Sequence, residues 1–131
     1  MMPPPIRAGV AYGLFAFMLG FVLGTLRVVA VAPRVGAEAA VLAELPLMLA
    51  ACWWWSGRIA RPPAMAKRSD GLPLGIAGLA VLLAGEFAVG IVLMGMTPSS
   101  WLAEFNRLPA ALGLAAQVIA MAMPMLRWRR G

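Results

Sequence analysis

The chain has 131 residues, of which 63% are hydrophobic and 12% are charged. Soluble domains are about half apolar and about a quarter charged, so this composition indicates a membrane protein. The formal net charge of +6 would suit a nucleic-acid-binding protein, but the basic residues stand at the ends of apolar segments and form no stripe, which argues against that class. The chain has no histidine and a single cysteine, Cys52, so we expect no intrachain disulfide, no metal site and no other cofactor.

Four apolar segments are long enough to cross about 30 Å of hydrocarbon as α-helices. They lie at about 8–32, 37–57, 72–96 and 108–126 within one transmembrane domain, 1–131. The predicted fold is therefore an all-α membrane protein with four transmembrane helices. The first segment resembles a secretory signal, because Arg7 precedes an apolar run that ends in Ala30-Val31-Ala32. That run is longer than the apolar region of a signal, and Pro33 would follow the cleavage point, so we interpret it as a retained span.

The distribution of basic residues predicts the orientation. Most of them belong to the N-terminal tail, the middle loop and the C-terminus: Arg7, Arg58, Arg61, Lys67, Arg68, Arg127, Arg129 and Arg130. Only Arg27, Arg34 and Arg107 fall on the other side. The positive-inside rule then places both termini and the middle loop in the cytoplasm, at a bacterial inner membrane. We interpret the tryptophans as interfacial anchors, with Trp53, Trp54, Trp55 and Trp128 on the cytoplasmic side and Trp101 on the outer side.

Polar residues mark two helix starts. Asp70 precedes the third span and is predicted to be its N-cap. Thr97 is placed to cap a short helix over 98–106, which we expect to lie flat on the outer surface.

Two parts of the chain resemble each other. Residues 13–33 align with residues 78–98 at a constant offset of 65, and Leu45-Pro46 aligns with Leu108-Pro109 after a two-residue shift. The alignment predicts two tandem helical hairpins, 13–57 and 78–126, related by an axis along the membrane normal. Chance similarity between apolar runs is the alternative, and the charged residues do not repeat.

Glycines mark one face of the first and third helices. The first carries Gly13, Gly20 and Gly24, and the third carries Gly71, Gly78 and Gly85. Spacings of four and seven residues place them on one helix face, and small residues allow two backbones to approach closely. We therefore predict that the first and third helices cross closely, with packing inside one chain favoured over dimerisation.

Arg27 and Glu44 are costly inside apolar spans and therefore mark a candidate site. Arg27 lies about 9 Å from the outer end of the first span and Glu44 about 10 Å into the second. A tight hairpin brings the two side chains to the same level. We predict a buried ion pair between them, with Arg34 and Glu38 at the outer rim.

Glu86 lies near the middle of the third span, and Gln117 lies at a comparable depth in the fourth. With Arg27 and Glu44 they are predicted to form one polar cluster. Such a cluster is either a site for a proton, an ion or a small polar ligand, or a set of buried bonds that fixes helix register. An unpaired carboxyl group in apolar surroundings is expected to be protonated.

Enzyme motifs are absent from the sequence, because no serine is accompanied by a histidine and no glycine-rich phosphate loop follows a strand. Met94-x-Met96 and Met121-x-Met123-x-Met125 offer thioethers that would suit Cu(I). Residues two apart on a helix point to different faces, so we interpret these methionines as adaptable apolar packing. Catalysis is not predicted.

The run GTLRVVAVAPRVGAEAAVLAELP resembles a pattern found in a family of small uncharacterised bacterial four-span membrane proteins. The shared features are Gly-Thr, an arginine two residues on, Pro-Arg, and then a glutamate and a proline in the next span. The resemblance covers about the first half of the chain and transfers no activity. The small multidrug transporters share the length and the number of spans, but they place their essential glutamate in the first helix, where this chain has Arg27.

Two functions fit the sequence. The preferred one is a non-catalytic accessory or scaffold subunit of a larger membrane complex, indicated by small size, short loops and glycine faces. The alternative is a small oligomeric transporter or channel for a proton, a cation or a small polar solute, using Glu86 with Arg27 and Glu44. The expected partners are the lipid bilayer and either another membrane protein or further copies of this chain.

Overall fold

The computed structural model describes residues 2–129, without the side chains of residues 108 and 109. Arg130, the last member of the predicted C-terminal basic cluster, lies outside this range. The α-helices are α1 (Pro4–Leu26), α2 (Ala32–Val35), α3 (Ala37–Ile59), α4 (Gly71–Ala88), α5 (Pro98–Ala103) and α6 (Leu108–Arg127). Two π-helical segments, Arg27–Val31 and Val89–Leu93, extend α1 and α4, and 3-10 turns cover Arg68–Asp70 and Glu104–Asn106. The prediction of an all-α fold is thereby confirmed for the described part of the chain.

Four helical stretches in this range are long and apolar enough to cross a membrane: Pro4–Val35, Ala37–Ile59, Arg68–Leu93 and Ala110–Arg127. They coincide with the four predicted spans to within a few residues. The first is longer than predicted, because the π-helical segment carries it directly into α2 and the chain turns only at Gly36, which has a φ of 92°. Only glycine adopts that backbone conformation without strain.

The four long helices form a closed ring. Helix α1 packs against α4, α4 against α6, α6 against α3, and α3 against α1. Residue numbers increase in the same direction along the contact between α1 and α4: Gly9 meets Leu74, and Gly13 meets Gly78. These two helices therefore run parallel. A Cβ atom on Gly13 would come within 2.5 Å of the Gly78 carbonyl oxygen. The first and third spans therefore cross at backbone distance.

The ring does not have the symmetry that the repeat predicts. A two-fold axis along the bundle exchanges helices that lie diagonally opposite, and α1 lies beside α4 rather than opposite it. Gly13 and Gly78, which are equivalent in the alignment, do meet. The aligned prolines occupy different places, however, since Pro46 lies inside α3 and Pro109 in the first turn of α6. The likeness is therefore confined to the contact between α1 and α4.

The two ends of the bundle have different content. We call the end with residues 60–67 and the C-terminus of α6 the basic end, and the end with α2 and α5 the α5 end. The main core cluster comprises Tyr12, Ala16, Cys52, Ala60, Met65, Leu74, Leu82, Ala120, Met121 and Met123. It fills the middle of the ring and the half toward the basic end. Tyr12 is fully buried, and its hydroxyl donates to the carbonyl oxygens of Ala120, at 2.6 Å, and Cys52, at 3.4 Å.

Close contacts join α4 to α6 at the basic end. Gly71 lies against Met125 and Gly75 against Met121, where a Cβ atom would come within 2.8 Å and 2.6 Å of the neighbouring helix. The pairing runs in opposite directions along the two helices, so α4 and α6 are antiparallel. In the middle loop, Trp128 Nε1 donates to the Met65 carbonyl at 3.2 Å, which ties the loop to the C-terminal end of α6.

One of the two predicted helix caps is confirmed. The Thr97 hydroxyl accepts from the backbone N–H of Ser100 at 3.1 Å, and the Ser100 hydroxyl lies 2.9 Å from the backbone N–H of Thr97. Asp70 does occupy the position before α4, but its carboxylate turns back and accepts from the N–H groups of Ala66 and Lys67. The predicted Asp70 cap is therefore wrong, because the carboxylate closes the middle loop instead.

Candidate polar cavity

A cavity of about 490 Å³ opens within the α5 end of the bundle. Four of the polar side chains that line it come one from each of the four long helical stretches: Arg27, Glu44, Glu86 and Gln117. These are the four residues that the sequence predicts to share one cluster. Glu104, in the turn after α5, also lines it. Apolar and aromatic side chains complete the wall, among them Phe17, Met48, Met94, Met96, Trp101 and Phe105. We call this space the polar cavity.

Arg27 and Glu44 form the first polar pair. Arg27 Nε donates to Glu44 Oε2 at 2.5 Å, across the hairpin between α1 and α3. The side chains keep 30% and 18% of their exposure, so the ion pair is only partly buried. The prediction of a buried pair is corrected here, because both side chains border the polar cavity rather than the closed core.

Local backbone geometry places Arg27 at the cavity wall. Arg27 is the first residue of the π-helical segment, in which the Ala32 N–H bonds to the Arg27 carbonyl five residues earlier. Such a segment inserts one extra residue and rotates the following side chains relative to an α-helix, and it is frequent at functional sites. Arg34 and Glu38, predicted at the rim, are exposed. Among the described residues, neither forms an ion pair with Arg27 or Glu44.

Glu86 and Gln117 form the second polar pair, between α4 and α6. Gln117 Nε2 donates to Glu86 Oε2 at 2.5 Å. Gln117 Oε1 is buried and has no hydrogen-bond partner among the described residues. A glutamine amide donates to an ionised carboxylate through its nitrogen and accepts from a protonated carboxyl through its oxygen. The Glu86–Gln117 pair is therefore compatible with either protonation state of Glu86.

Charge in the cavity wall is predominantly acidic. The lining contains three carboxyl groups, of Glu44, Glu86 and Glu104, and one guanidinium, of Arg27. Glu44 is matched by Arg27, and Glu104 lies 3.9 Å from Arg107, which is outside the lining. The bond to Glu86, in contrast, comes from a neutral amide. A cation is therefore the ligand that best complements this wall, particularly with aromatic faces at hand.

Helix α5 and the turn after it form one wall of the cavity. Trp101 packs edge-on against Phe87, with ring centroids 5.1 Å apart, and against Phe105, at 5.0 Å. The Trp101 ring lies directly over Gly90, where a Cβ atom would come within 2.8 Å of it. Trp101 therefore lies in the cavity wall, a position that its interpretation as an interfacial anchor does not predict. The signal was Gly90, one turn after Glu86, since a glycine there leaves room for an aromatic ring.

The other predicted tryptophans divide into two groups. Trp53 and Trp54 are exposed at the basic end. Trp55 stacks on Phe15 with ring centroids 4.9 Å apart, and Trp128 bonds to the middle loop. Only the first two have the open position expected of anchors.

The predicted glycine faces are likewise divided. Gly13 and Gly78 lie in the crossing of α1 and α4, and Gly85 lies under the ring of Phe17. Gly20 instead borders the polar cavity, where a Cβ atom would lie 3.6 Å from the Met48 methyl carbon. A Cβ atom on Gly24 would lie 3.5 Å from Arg27 Nη2. The glycine face of α1 therefore serves helix packing at one end and the cavity at the other.

No protein-family model matches the chain, and no curated protein or solved structure matches it. Within residues 2–129, no three His, Cys, Asp or Glu side chains come together as a metal-binding group.

Proposed function

We propose that the protein is a multi-pass integral protein of a bacterial inner membrane, with both termini and the middle loop in the cytoplasm. Four apolar helices support insertion. Their outer faces expose large apolar side chains, including Met18, Leu47, Ile76 and Val92. The concentration of arginines at the basic end supports the orientation.

Reporter fusions test the orientation directly. A reporter at the C-terminus is expected on the cytoplasmic side, and one inserted at Ser99, in the exposed part of α5, on the outer side. The same location for both fusions would contradict the proposed topology.

Within that membrane protein, we propose that the polar cavity binds a small cation and that the protein acts as a small carrier or channel. The convergence of Arg27, Glu44, Glu86 and Gln117 on one cavity, one from each long helical stretch, carries the proposal. Polar groups that only fix helix register would bond to each other in a closed interface. Here they border open space of about 490 Å³, which is within the usual size range of small-molecule sites.

Glu86 is the proposed exchange group. Bound cation and bound proton are alternatives at one carboxyl group, because each neutralises the same negative charge in apolar surroundings. Binding of the cation therefore releases the proton, and lowering the pH displaces the cation. Arg27 holds Glu44 in an ion pair, and Glu104 lies beside Arg107. Glu86 is therefore the lining carboxyl group without a cationic partner among the described residues and the one proposed to change state.

Tyr12 closes the cavity toward the basic end. Its hydroxyl bridges α1 to Ala120 of α6, and Ala120 and Ala16 also line the cavity floor. A carrier cycle would need this contact between α1 and α6 to open, since the Tyr12 hydroxyl ties the two helices together beside the cavity floor.

Binding of a defined cation tests the proposal. Tetraethylammonium titrated into the detergent-solubilised protein is expected to quench or shift the tryptophan fluorescence saturably through Trp101 in the cavity wall. The effect should weaken as the pH is lowered. Glu86→Gln is expected to abolish both the binding and its pH dependence, because the amide carries no charge at any pH. Glu38→Gln makes the same change at an exposed carboxyl outside the cavity and should leave binding unchanged. Absence of saturable binding to the unaltered protein, or equal binding by Glu86→Gln, would contradict the cation site.

An accessory subunit is the second candidate. The π-helical segments expose apolar side chains strongly, with Val29 at 71% and Val92 at 77%, and a partner helix would cover such positions as well as lipid does. Purification in mild detergent separates the two functions. A stoichiometric membrane partner supports the accessory role, whereas a homo-oligomer that moves the cation in liposomes supports the carrier.

A further inference from the structure

A second cavity, of about 480 Å³, lies at the basic end between the C-terminal ends of α3 and α6. Its lining consists of two tryptophans, one glycine and four arginines: Trp53, Trp54, Gly57, Arg58, Arg61, Arg127 and Arg129. No acidic residue is among them. We call this space the arginine pocket.

Stacking fixes two of the four guanidinium groups. The Arg58 guanidinium lies 4.6 Å from the centroid of the Trp54 ring, and that of Arg127 lies 4.4 Å from the Trp53 ring. A guanidinium stacked on an aromatic face keeps its N–H edge free for an anion, and its planar fork matches phosphate oxygens. The pocket therefore presents oriented donors rather than freely moving side chains.

Hydrogen bonds to the carbonyl groups at the end of α3 explain the positions of only two of the four arginines. Arg127 Nη1 donates to the Trp53 carbonyl at 2.6 Å, and Arg129 Nη2 to the Gly57 carbonyl at 3.4 Å. Cations near the last carbonyls of a helix are favourable. Each guanidinium has five N–H donors, however, and Arg58 and Arg61 donate no side-chain hydrogen bond to any described residue. Most of the donors in the pocket are thus available to a ligand.

The positive charge of the pocket is not neutralised by the described residues. The ion pairs of residues 2–129, Arg27–Glu44 and Arg107–Glu104, both lie at the α5 end. At the basic end Asp70 is the one acidic residue, and its carboxylate bonds to backbone N–H groups of the middle loop. Four like charges converge on one cavity with no acidic side chain in its lining, so their mutual repulsion favours the binding of an anion there.

From these contacts we infer that the arginine pocket binds the phosphodiester headgroup of an anionic phospholipid. The rim selects the lipid over a free phosphate. Trp53 and Trp54 are exposed, by 48% and 55%, and Leu47, two turns earlier on α3, is exposed by 61%. Tryptophans at headgroup level with an apolar helix face above them suit a ligand that has acyl chains. The inference rests on the proposed membrane location, but not on cation binding at the polar cavity.

Titration of defined lipids into the full chain in neutral detergent tests the inference. Short-chain phosphatidylglycerol is expected to raise the unfolding temperature and to remain bound in native mass spectrometry. Phosphatidylcholine of equal chain length, which has no net charge, should do neither, and glycerol phosphate, which has no acyl chains, should bind far more weakly. Equal effects of the two lipids would overturn the headgroup assignment, and equal effects of glycerol phosphate would assign the pocket to a soluble anion.

A matched pair of double variants separates the pocket from general basic charge. Arg58→Gln with Arg61→Gln removes two pocket charges that donate no described side-chain hydrogen bond, so folding should be preserved. We expect phosphatidylglycerol affinity to fall about 30-fold. Arg7→Gln with Lys67→Gln removes the same charge from the same end outside the pocket and should change affinity less than about threefold. Equal losses in both variants would overturn the pocket.

These outcomes are distinguishable from a failure of the proposed function. Failure of the cation site would appear as absent tetraethylammonium binding or as equal binding by Glu86→Gln. Both results concern the polar cavity at the opposite end of the bundle and would leave phosphatidylglycerol binding at the arginine pocket unchanged. Reporter fusions on the same side would change the leaflet that supplies the lipid, but they would not change binding in detergent.

Discussion

At the basic end, glycines of α1 and α4 meet a neighbouring helix at backbone distance, whereas at the α5 end the same helices surround a cavity of about 490 Å³. Gly13 against Gly78 and Gly75 against Met121 leave no space for even a methyl group. Around the cavity, contact is made by long side chains, two polar pairs and the Trp101 ring. Such contacts rearrange at lower cost than backbone contacts, because side chains change rotamer while the helices stay in place. The comparison indicates a rigid half that holds the helices and an adaptable half around the cavity, which is the half proposed to bind a ligand.

The largest effect is expected from a methyl group placed in the rigid half. Gly13→Ala puts a Cβ atom within 2.5 Å of the Gly78 carbonyl oxygen, which is backbone and cannot turn away. We expect the free energy of unfolding to fall by about 3 kcal/mol, measured by thermal unfolding in detergent. Gly113→Ala is the matched control at the cavity, where nothing lies within 4 Å, and it should be neutral or stabilising by up to about 1 kcal/mol. Equal losses at both positions would remove the distinction between the two halves.

The second effect concerns the Arg27–Glu44 pair. Removing one partner from a fully buried pair costs about 3–5 kcal/mol, but these side chains are 30% and 18% exposed. We therefore expect Arg27→Met and Glu44→Leu each to lower the free energy of unfolding by about 2 kcal/mol. The double variant should lose less than the sum of the two, measured by thermal unfolding in detergent.

A control pair exists in the same half of the molecule. Arg107 and Glu104 are separated by 3.9 Å and are 75% and 42% exposed. Their coupling should stay below about 0.5 kcal/mol. Strict additivity for Arg27 and Glu44 would show that this pair contributes no more than the more exposed Arg107–Glu104 pair.

Some contacts around the polar cavity and the helix crossing can be predicted from the sequence, and others cannot. Depth along two spans was enough to bring Arg27 to Glu44, because both are counted from the same short turn at Gly36. The crossing of Gly13 with Gly78 followed from helix periodicity. Burial of the ion pair was overestimated, since a sequence does not show that four helices leave a space between them.

Tyr12 illustrates a contact without a sequence signal. Its hydroxyl bonds to a carbonyl oxygen 108 residues away, and any of several carbonyls on two helices would serve as acceptor. The π-helical segments are equally hidden, because one additional residue in a turn changes no apolar pattern. Trp101 can be placed in the cavity wall only by recognising that Gly90 leaves space for its ring. That contact joins two separate helical segments, so the pattern within one helix does not show it.

A third, smaller effect tests the boundary between the two halves. Tyr12→Phe keeps the ring and removes the hydroxyl that donates to Ala120 at 2.6 Å. We expect a loss of about 1 kcal/mol, the usual contribution of one such bond, measured by chemical or thermal unfolding in detergent. Thr25→Val is the control, since its exposed hydroxyl bonds only to Phe21 within the same helix. A Tyr12 variant as stable as the Thr25 variant would mean that the bridge between α1 and α6 does not hold the cavity floor.

The smallest effect on stability is expected from Glu86→Gln, the variant for which we expect the largest effect on cation binding. Glu86→Gln preserves the size of the side chain. It also preserves the hydrogen bond to Gln117, since the N–H group of one side-chain amide can donate to the oxygen of the other. We expect the unfolding free energy to change by less than about 0.5 kcal/mol, because an amide resembles the protonated carboxyl expected in apolar surroundings. Gln117→Leu, by contrast, removes the partner and should cost about 1 kcal/mol or more. Thermal unfolding of the two variants beside the unaltered protein makes the measurement. A severe loss in Glu86→Gln would show that Glu86 is a charged structural group, and the adaptable half would then be held together by the residue assigned to ligand exchange.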